Sequence, residues 1–317
     1  MKIVSLDGYA LNPGDLSWDC FQKYGEVVVY PRTAPEETIQ RLQGADVALV
    51  NKVLITEEVL AACPDLKLIC VLATGYNVVD CEAARRRGIP VCNVPDYSTN
   101  AVSQFTFSLL LEICNAIGHH DRVVHEGKWS ACPNFCFWDT PQMELAGKTM
   151  GIIGFGRIGR AVGRIAKAFG MEVLAYNRSR CPEGEDIGTY TDMDTLLSKS
   201  DVVTLHLPMS DQTAGMVNGE FLGKMKDGAI LLNTARGGLI DEQALHDALV
   251  SGKLRAAAAD VADREPIPAD SPLLTAPNMV ITPHMAWAPL EARQRILNVT
   301  MASIDGYLAG KLINTVN

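Results

Sequence analysis

The chain has 317 residues, 48% of them hydrophobic, which is enough for two domains with separate apolar cores. Its formal net charge of -9 argues against a surface built to hold nucleic-acid phosphates, which takes extended Lys and Arg clustering. Apolar stretches such as residues 105–113 are broken by Ser108 and Glu112 and fall short of the roughly 20 residues of a membrane span, so no membrane partner is expected.

In chain order, short apolar runs fall at 2–6, 27–30, 47–50, 68–72 and 91–94, separated by amphipathic stretches. That rhythm predicts parallel strands with crossover helices. The first run starts directly after Met1 and reads as a buried strand rather than a signal peptide; with nine irregularly spaced cysteines, this predicts free thiols in a reducing cytoplasm. Residues 100–117 carry helical spacing behind a polar start at Ser98, Thr99 and Asn100 and predict an interdomain helix, with His119 and His120 at its end, where their charge would favour the dipole. The loop 126–144 is rich in aromatics, Cys and Pro. It predicts either a packed surface loop or a contact between subunits, with Phe135 to Trp138 as the candidate cluster. His119, His120 and His125 lie near Cys132 and Cys136 in a spacing that matches no common zinc pattern, so no metal is expected.

The strand rhythm restarts at 149–153, 172–176, 202–207, 229–233, 256–260 and 279–282. The fold class is therefore α/β with two doubly wound parallel-sheet domains, a Rossmann domain over 100–287 and a flavodoxin-like one over 1–99. A last helical pattern at 289–308 has no further sheet to cover and is expected back on the first domain, which makes that domain discontinuous (1–99 and 288–317).

Behind the strand at 149–153 stand Gly154, Gly156, Arg157, Ile158 and Gly159, in the spacing G-x-G-x-x-G, followed by a helical pattern. Gly154 suits the tight turn, Gly156 lets backbone N–H groups approach a pyrophosphate, and Gly159 allows close helix-to-strand packing. The next strand ends at about the distance where a residue reading the ribose is expected. Asn177, Arg178, Ser179 and Arg180 stand there in place of a carboxylate, which favours NADP over NAD; the plainer reading is an exposed basic loop.

Three further strand ends carry groups suited to hydride transfer onto a keto acid: Arg236 after 229–233, Glu265 behind Asp260, and His284 after 279–282. Such a reaction needs a cation for the carboxylate, a proton donor for the forming alkoxide, and a partner for the donor. Singly, each has a blander reading as a loop charge or a core histidine; three on one sheet edge favour a site.

The ordered segments G-F-G-R-I-G (154–159), N-T-A-R-G-G-L-I-D (233–241), D-V-x-x-x-E-P (260–266) and T-P-H (282–284) resemble the D-isomer-specific 2-hydroxyacid dehydrogenase family across essentially the whole chain. The resemblance implies that Arg236 clamps the substrate carboxylate, His284 is the general acid and base, and Glu265 hydrogen-bonds His284 and favours its protonated form. It places Asp260 at the nicotinamide carboxamide, His206 and Pro208 on the adenosine side, and Thr234 and Ala235 near the nicotinamide ribose. In the first domain it implies a substrate loop at Ala73, Thr74 and Gly75, with Asn51 and Lys52 near the substrate tail. Glu265, where formate dehydrogenases are expected to carry an amide, disfavours formate. The segments A-T-G-Y-N-V-V-D, N-V-P-D-Y-S-T-N-A-V-S-Q-F-T, F-C-F-W-D and N-K-V-L-I-T resemble the glycerate dehydrogenase (hydroxypyruvate reductase) branch, which implies NAD(P)H-dependent reduction of hydroxypyruvate or glyoxylate by a homodimer. A short phosphoglycerate dehydrogenase and a corepressor-like dinucleotide sensor are the alternatives.

Overall fold

The apolar runs of the first part pair as a parallel sheet in the computed structural model, which describes residues 1–317. Its strands are β1 (Lys2–Ser5), β2 (Glu26–Val29), β3 (Val47–Val50), β4 (Leu68–Val71) and β5 (Val91–Cys92), in the order β2-β1-β3-β4-β5. β3 and β4 are buried along their whole length, because crossover helices cover both faces of such a sheet, and this is why they read as unbroken apolar runs. The strand order reverses between β1 and β3, and the chain leaves their carboxyl ends at Asp7 and Asn51. Ligands bind at such a crevice in open α/β sheets.

By internal packing the chain divides into Met1–Ser98 with Trp287–Asn317, and Thr99–Ala286. The helix Leu290–Leu308 gives the first unit Ile296, Leu297 and Ile304 as buried side chains. Arg293 ties it down: its guanidinium donates to both oxygens of Asp15 at 2.6 Å, to the Leu11 carbonyl at 3.1 Å and to the Ala288 carbonyl at 2.7 Å. The last residues run beside β5, where Val316 N donates to Val91 O at 2.9 Å.

The second unit holds seven parallel strands: β6 (Thr149–Ile153), β7 (Glu172–Tyr176), β8 (Thr189–Tyr190), β9 (Val202–Leu205), β10 (Ala229–Asn233), β11 (Leu254–Ala259) and β12 (Met279–Ile281). Their order is β12-β11-β10-β9-β6-β7-β8, with the reversal between β6 and β9. β8 has two residues, too few for a periodic signal, and the sequence reading missed it. The runs at 91–94 and 202–207 extend past their strands, since apolar character continues into the loops.

The expected helix over 100–117 is present as Thr99–Asn115, and a second helix that spacing did not predict follows it. Thr99–Asn115 ends at Ala116, whose φ of +46° is left-handed, and Ile117–His125 leaves at 57° to it. His119 and His120 therefore stand in the first turn of a second helix, where the dipole opposes a cation, and not at the C-terminal end of the first. Both rings are occupied: His119 pairs Asp139 at 2.8 Å, and His120 meets the Ala116 carbonyl at 2.7 Å and accepts from Asp139 N at 3.1 Å. Lys128 also reaches Asp139, at 2.5 Å, and Trp129 Nε1 donates to Phe135 O at 3.0 Å, so this loop is held on the second helix. Phe135 is 91% exposed and Trp138 66%, which excludes a core role for the aromatic cluster. No single helix is long and apolar enough to cross a membrane.

Candidate active site

The turn after β6 has the geometry its glycines predict. Gly154 sits at φ +91°, and a Cβ there would lie 2.4 Å from His206 O; one on Gly159 would lie 2.2 Å from Gly154 O. A Cβ on Gly156 would meet nothing within 4 Å. Gly156 is also the N-cap of helix Arg157–Ala168 and supplies no side-chain cap, so no capping side chain competes with a pyrophosphate for the start of that helix. The residues present thus fit a dinucleotide. Past β7, Asn177 Nδ2 donates to Ser179 O at 2.8 Å and shapes the next turn. Arg178, Ser179 and Arg180 are exposed, and the Arg180 guanidinium lies 5.7 Å from the centre of the Tyr190 ring. No carboxylate ends β7.

At the end of β9, His206 Nε2 lies 3.0 Å from the Thr204 hydroxyl, and burial of the ring pushes its pKa from 6.5 down to about 3. The histidine is neutral at the pH of a cell, and Pro208, two residues on, is exposed.

Three loops leave the adjacent ends of β10, β11 and β12, where Asn233 aligns with Ala259 and Ala259 with Ile281. The first is shaped by buried Asn233, whose Oδ1 accepts from Ala235 N at 3.0 Å while its Nδ2 donates to Arg236 O at 2.8 Å. Arg236 is exposed, donates through Nη1 to the Ala235 carbonyl at 2.7 Å, and has no acidic partner; its charge is available to an anion. Thr234 lies in the same loop with its hydroxyl 3.2 Å from that of Thr106. Gly237 is held against the second loop: a Cβ there would fall 1.8 Å from the Ala262 carbonyl carbon.

The second loop carries Glu265, about a third of whose side chain is exposed. Its Oε1 accepts from Ala262 N at 3.3 Å, and its Oε2 lies 2.7 Å from His284 Nδ1. Glu242, which spacing did not single out, anchors this loop by accepting from Asp263 N at 3.0 Å and Ser271 Oγ at 2.7 Å. Because a carboxylate only accepts, His284 Nδ1 carries a proton and Nε2 is the atom left for a substrate. Nothing in the chain engages Nε2.

The third loop is built by Asp260. Asp260 is 1% exposed, and its oxygens accept from Thr282 Oγ1 at 2.7 Å, Met285 N at 2.9 Å and Ala286 N at 2.8 Å. A buried carboxylate recruits donors because leaving it unpaired would cost several kcal/mol (roughly). Its donors are the residues around His284, which sits at a left-handed φ of +53° with its N–H on Thr282 O at 3.0 Å. Asp260 thus holds the strained turn that aims the imidazole.

At about 4.8 Å between strands, the β10 and β12 ends lie roughly 10 Å apart. In the first unit, considered by itself, the loop after β4 has its carbonyls occupied: Ala73 O accepts from Val94 N at 3.0 Å and Thr74 O from Asn93 Nδ2 at 2.7 Å. The N–H groups of Thr74 and Gly75 take no hydrogen bond within this unit. Asn51 and Lys52 follow β3 at the same sheet edge. No three His, Cys, Asp or Glu side chains gather as a metal-holding group.

Residues 107–286 match the family described as D-isomer specific 2-hydroxyacid dehydrogenase, NAD binding domain. The chain is 52% identical to a hydroxypyruvate reductase of Blautia hydrogenotrophica, over 100% of both chains. Among solved structures it is similar to an acyclic imino acid reductase (Bsp5) in complex with NADPH and D-Arg, with a TM-score of 0.84 and 32% identity over 100% of both chains. It is also similar to the D-lactate dehydrogenase of Aquifex aeolicus complexed with NAD and lactic acid, with a TM-score of 0.83 and 28% identity over 98% of this chain and 96% of that one.

Proposed function

The chain belongs to the D-isomer specific 2-hydroxyacid dehydrogenase family, and from that membership we propose that it reduces hydroxypyruvate and glyoxylate to D-glycerate and glycolate, with NADPH preferred over NADH. It is an NAD(P)-dependent oxidoreductase acting on a small 2-keto or 2-hydroxy acid. The observation that carries the reading is the 2.7 Å pair between His284 Nδ1 and Glu265 Oε2, on the same sheet edge as the unpaired Arg236.

When bound, the reduced nicotinamide supplies a hydride to the carbonyl carbon. Arg236 binds the substrate carboxylate through its fork of donors and draws charge toward the carbonyl oxygen. His284 donates its Nε2 proton to the alkoxide as it forms, and in the reverse direction takes it back. Glu265 holds Nδ1–H throughout, so the ring keeps its tautomer and its orientation. From the family resemblance, Ala73, Thr74 and Gly75, with Asn51 and Lys52, are further substrate contacts offered by the first unit. Gly154 and Gly159 shape the turn; Gly156 and the N–H groups of Arg157 and Ile158 meet the pyrophosphate, with His206 and Pro208 on the adenosine side and Thr234 and Ala235 beside the nicotinamide ribose.

The NADPH preference rests on Asn177, Arg178 and Ser179 at the end of β7, where no carboxylate repels a 2′-phosphate and Arg178 makes no ion pair. A homodimer is proposed from the apolar face of Trp129, Phe135 and Trp138, because large exposed aromatic patches mark association surfaces. A cytoplasmic location agrees with nine free cysteines. Steady-state assays of the purified protein with NADPH and NADH against hydroxypyruvate, glyoxylate, pyruvate and phosphohydroxypyruvate test the proposal. Highest kcat/KM with hydroxypyruvate and NADPH is expected; no turnover with any of them would end it. Arg178→Glu is expected to lower kcat/KM for NADPH at least tenfold (roughly, for a lost phosphate contact) and to leave NADH nearly unchanged.

A further inference from the structure

Asp7 leaves the carboxyl end of β1, is 7% exposed, and does an unusual thing for its position. It is the N-cap of the short helix Gly8–Leu11, where an aspartate ordinarily turns back to accept from the helix's own N–H groups, yet it makes no such bond. Its carboxylate reaches instead to the loop after β3. Asn51 N donates to Oδ1 at 2.9 Å and to Oδ2 at 3.1 Å, Lys52 N donates to Oδ2 at 2.5 Å, and Val53 N to Oδ2 at 3.1 Å. Three successive N–H groups turned onto one point form a nest for an anion, and here the chain fills the nest with its own carboxylate. The strands beneath are locked together by Leu6 N on Leu49 O at 3.1 Å, so the carboxylate and the loop share one rigid base.

We infer that Asp7 is a positioning residue for the keto acid: it sets the backbone of Asn51 and Lys52 and so the direction in which their side chains are offered. The inference rests on the reading of those two residues as substrate contacts. Without the carboxylate, three clustered N–H groups lose their acceptor, and the loop must turn them to water to recover hydrogen bonds. That rotation carries Asn51 and Lys52 away from their present direction, while the cofactor machinery of the second unit is untouched.

The test compares Asp7→Asn and Asp7→Ala with Asn51→Ala and Lys52→Ala, measuring kcat, KM for hydroxypyruvate, Kd for NADPH and thermal stability. The Asp7 variants are expected to raise the hydroxypyruvate KM by about tenfold or more, with NADPH affinity unchanged and kcat within about threefold, the pattern of a lost ground-state contact. A purely structural role would lower stability and the yield of active protein and leave KM alone. An unchanged KM in folded Asp7 variants, when Asn51→Ala or Lys52→Ala raises it, overturns the inference. If none of the four raises KM, the reading of the loop as a substrate contact falls first. Should neither Asp7 variant fold, amide exchange in the unsubstituted protein decides: residues 51–53 must be protected, and exchange at the rate of free chain would refute the nest.

Discussion

Gly237→Ala is the smallest change that tests whether Arg236, Glu265 and His284 work as one unit. Gly237 does not occupy the left-handed region, so an alanine costs nothing in backbone conformation and the whole effect is space. The added methyl would lie 1.8 Å from the Ala262 carbonyl carbon, 1.9 Å from its oxygen and 2.3 Å from Asp263 N, all main-chain atoms that cannot swing aside. Real Cβ contacts essentially never fall below 3.0 Å, so the Arg236 loop and the Glu265 loop must separate by at least the difference from 1.8 Å, which is 1.2 Å. A misplacement of about 1 Å costs on the order of 100-fold in rate, or ~2.7 kcal/mol of transition-state stabilisation. The expected result is a fall of about 100-fold in kcat/KM for hydroxypyruvate, with NADPH binding, followed by nicotinamide fluorescence, altered far less. Gly238→Ala is the control. Its methyl would meet only the side-chain atoms Met209 Sδ at 2.5 Å and Asp263 Oδ1 at 3.1 Å, and a methionine moves, so activity should stay within about threefold. Folded Gly237→Ala enzyme with activity equal to the control would refute the claim that spacing between these loops matters.

His284→Gln removes the proton donor and should lower kcat by roughly 100- to 10,000-fold with little change in NADPH affinity; single-turnover kinetics would isolate the step. His206 is held neutral with a pKa of about 3, below its ordinary 6.5, so the unfolded chain binds a proton that the folded one refuses between those values. Its contribution is intact above pH 6.5 and erodes as pH falls toward 3, by at most about 1.4 kcal/mol per pH unit and less for a partly exposed residue. Urea titrations of His206→Gln at pH 7.5, 6.0 and 5.0 should show a flatter dependence than the parent. Arg293→Ala strips the ties to Asp15, Leu11 and Ala288 and should cost about 2 kcal/mol. Calorimetry should record this as a lower Tm, on the order of 5 °C, and an unchanged Tm would show that the terminal helix is held by apolar packing alone.

Several features were legible before any fold was known because their signals are local. A turn that must pass close beneath a neighbouring strand excludes side chains, so Gly154 and Gly159 announce it within six residues. Strands buried on both faces must be apolar throughout, so β3, β4 and β10 stand out as runs. Arg236, Glu265 and His284 each follow such a run, and parallel strands deliver their carboxyl ends to one edge. Ala116, by contrast, belongs to the residue type that most favours helix, and nothing in its neighbourhood announces a left-handed break. Nor does spacing announce the donors of Asp260, which lie 22 to 26 residues onward.

The sequence by itself determined the two α/β sheets, the glycine turn after β6 and the placement of Arg236, Glu265 and His284 behind strand ends, since each depends on sterics or polarity within a few neighbours. Only the tertiary structure decided which distant backbone each carboxylate holds. Asp7 meets N–H groups 44 to 46 residues away, Glu242 meets the loop of Glu265, and Asp260 the turn of His284. A hydrogen bond is specified by where two chain segments meet, and spacing along one segment carries no record of that meeting.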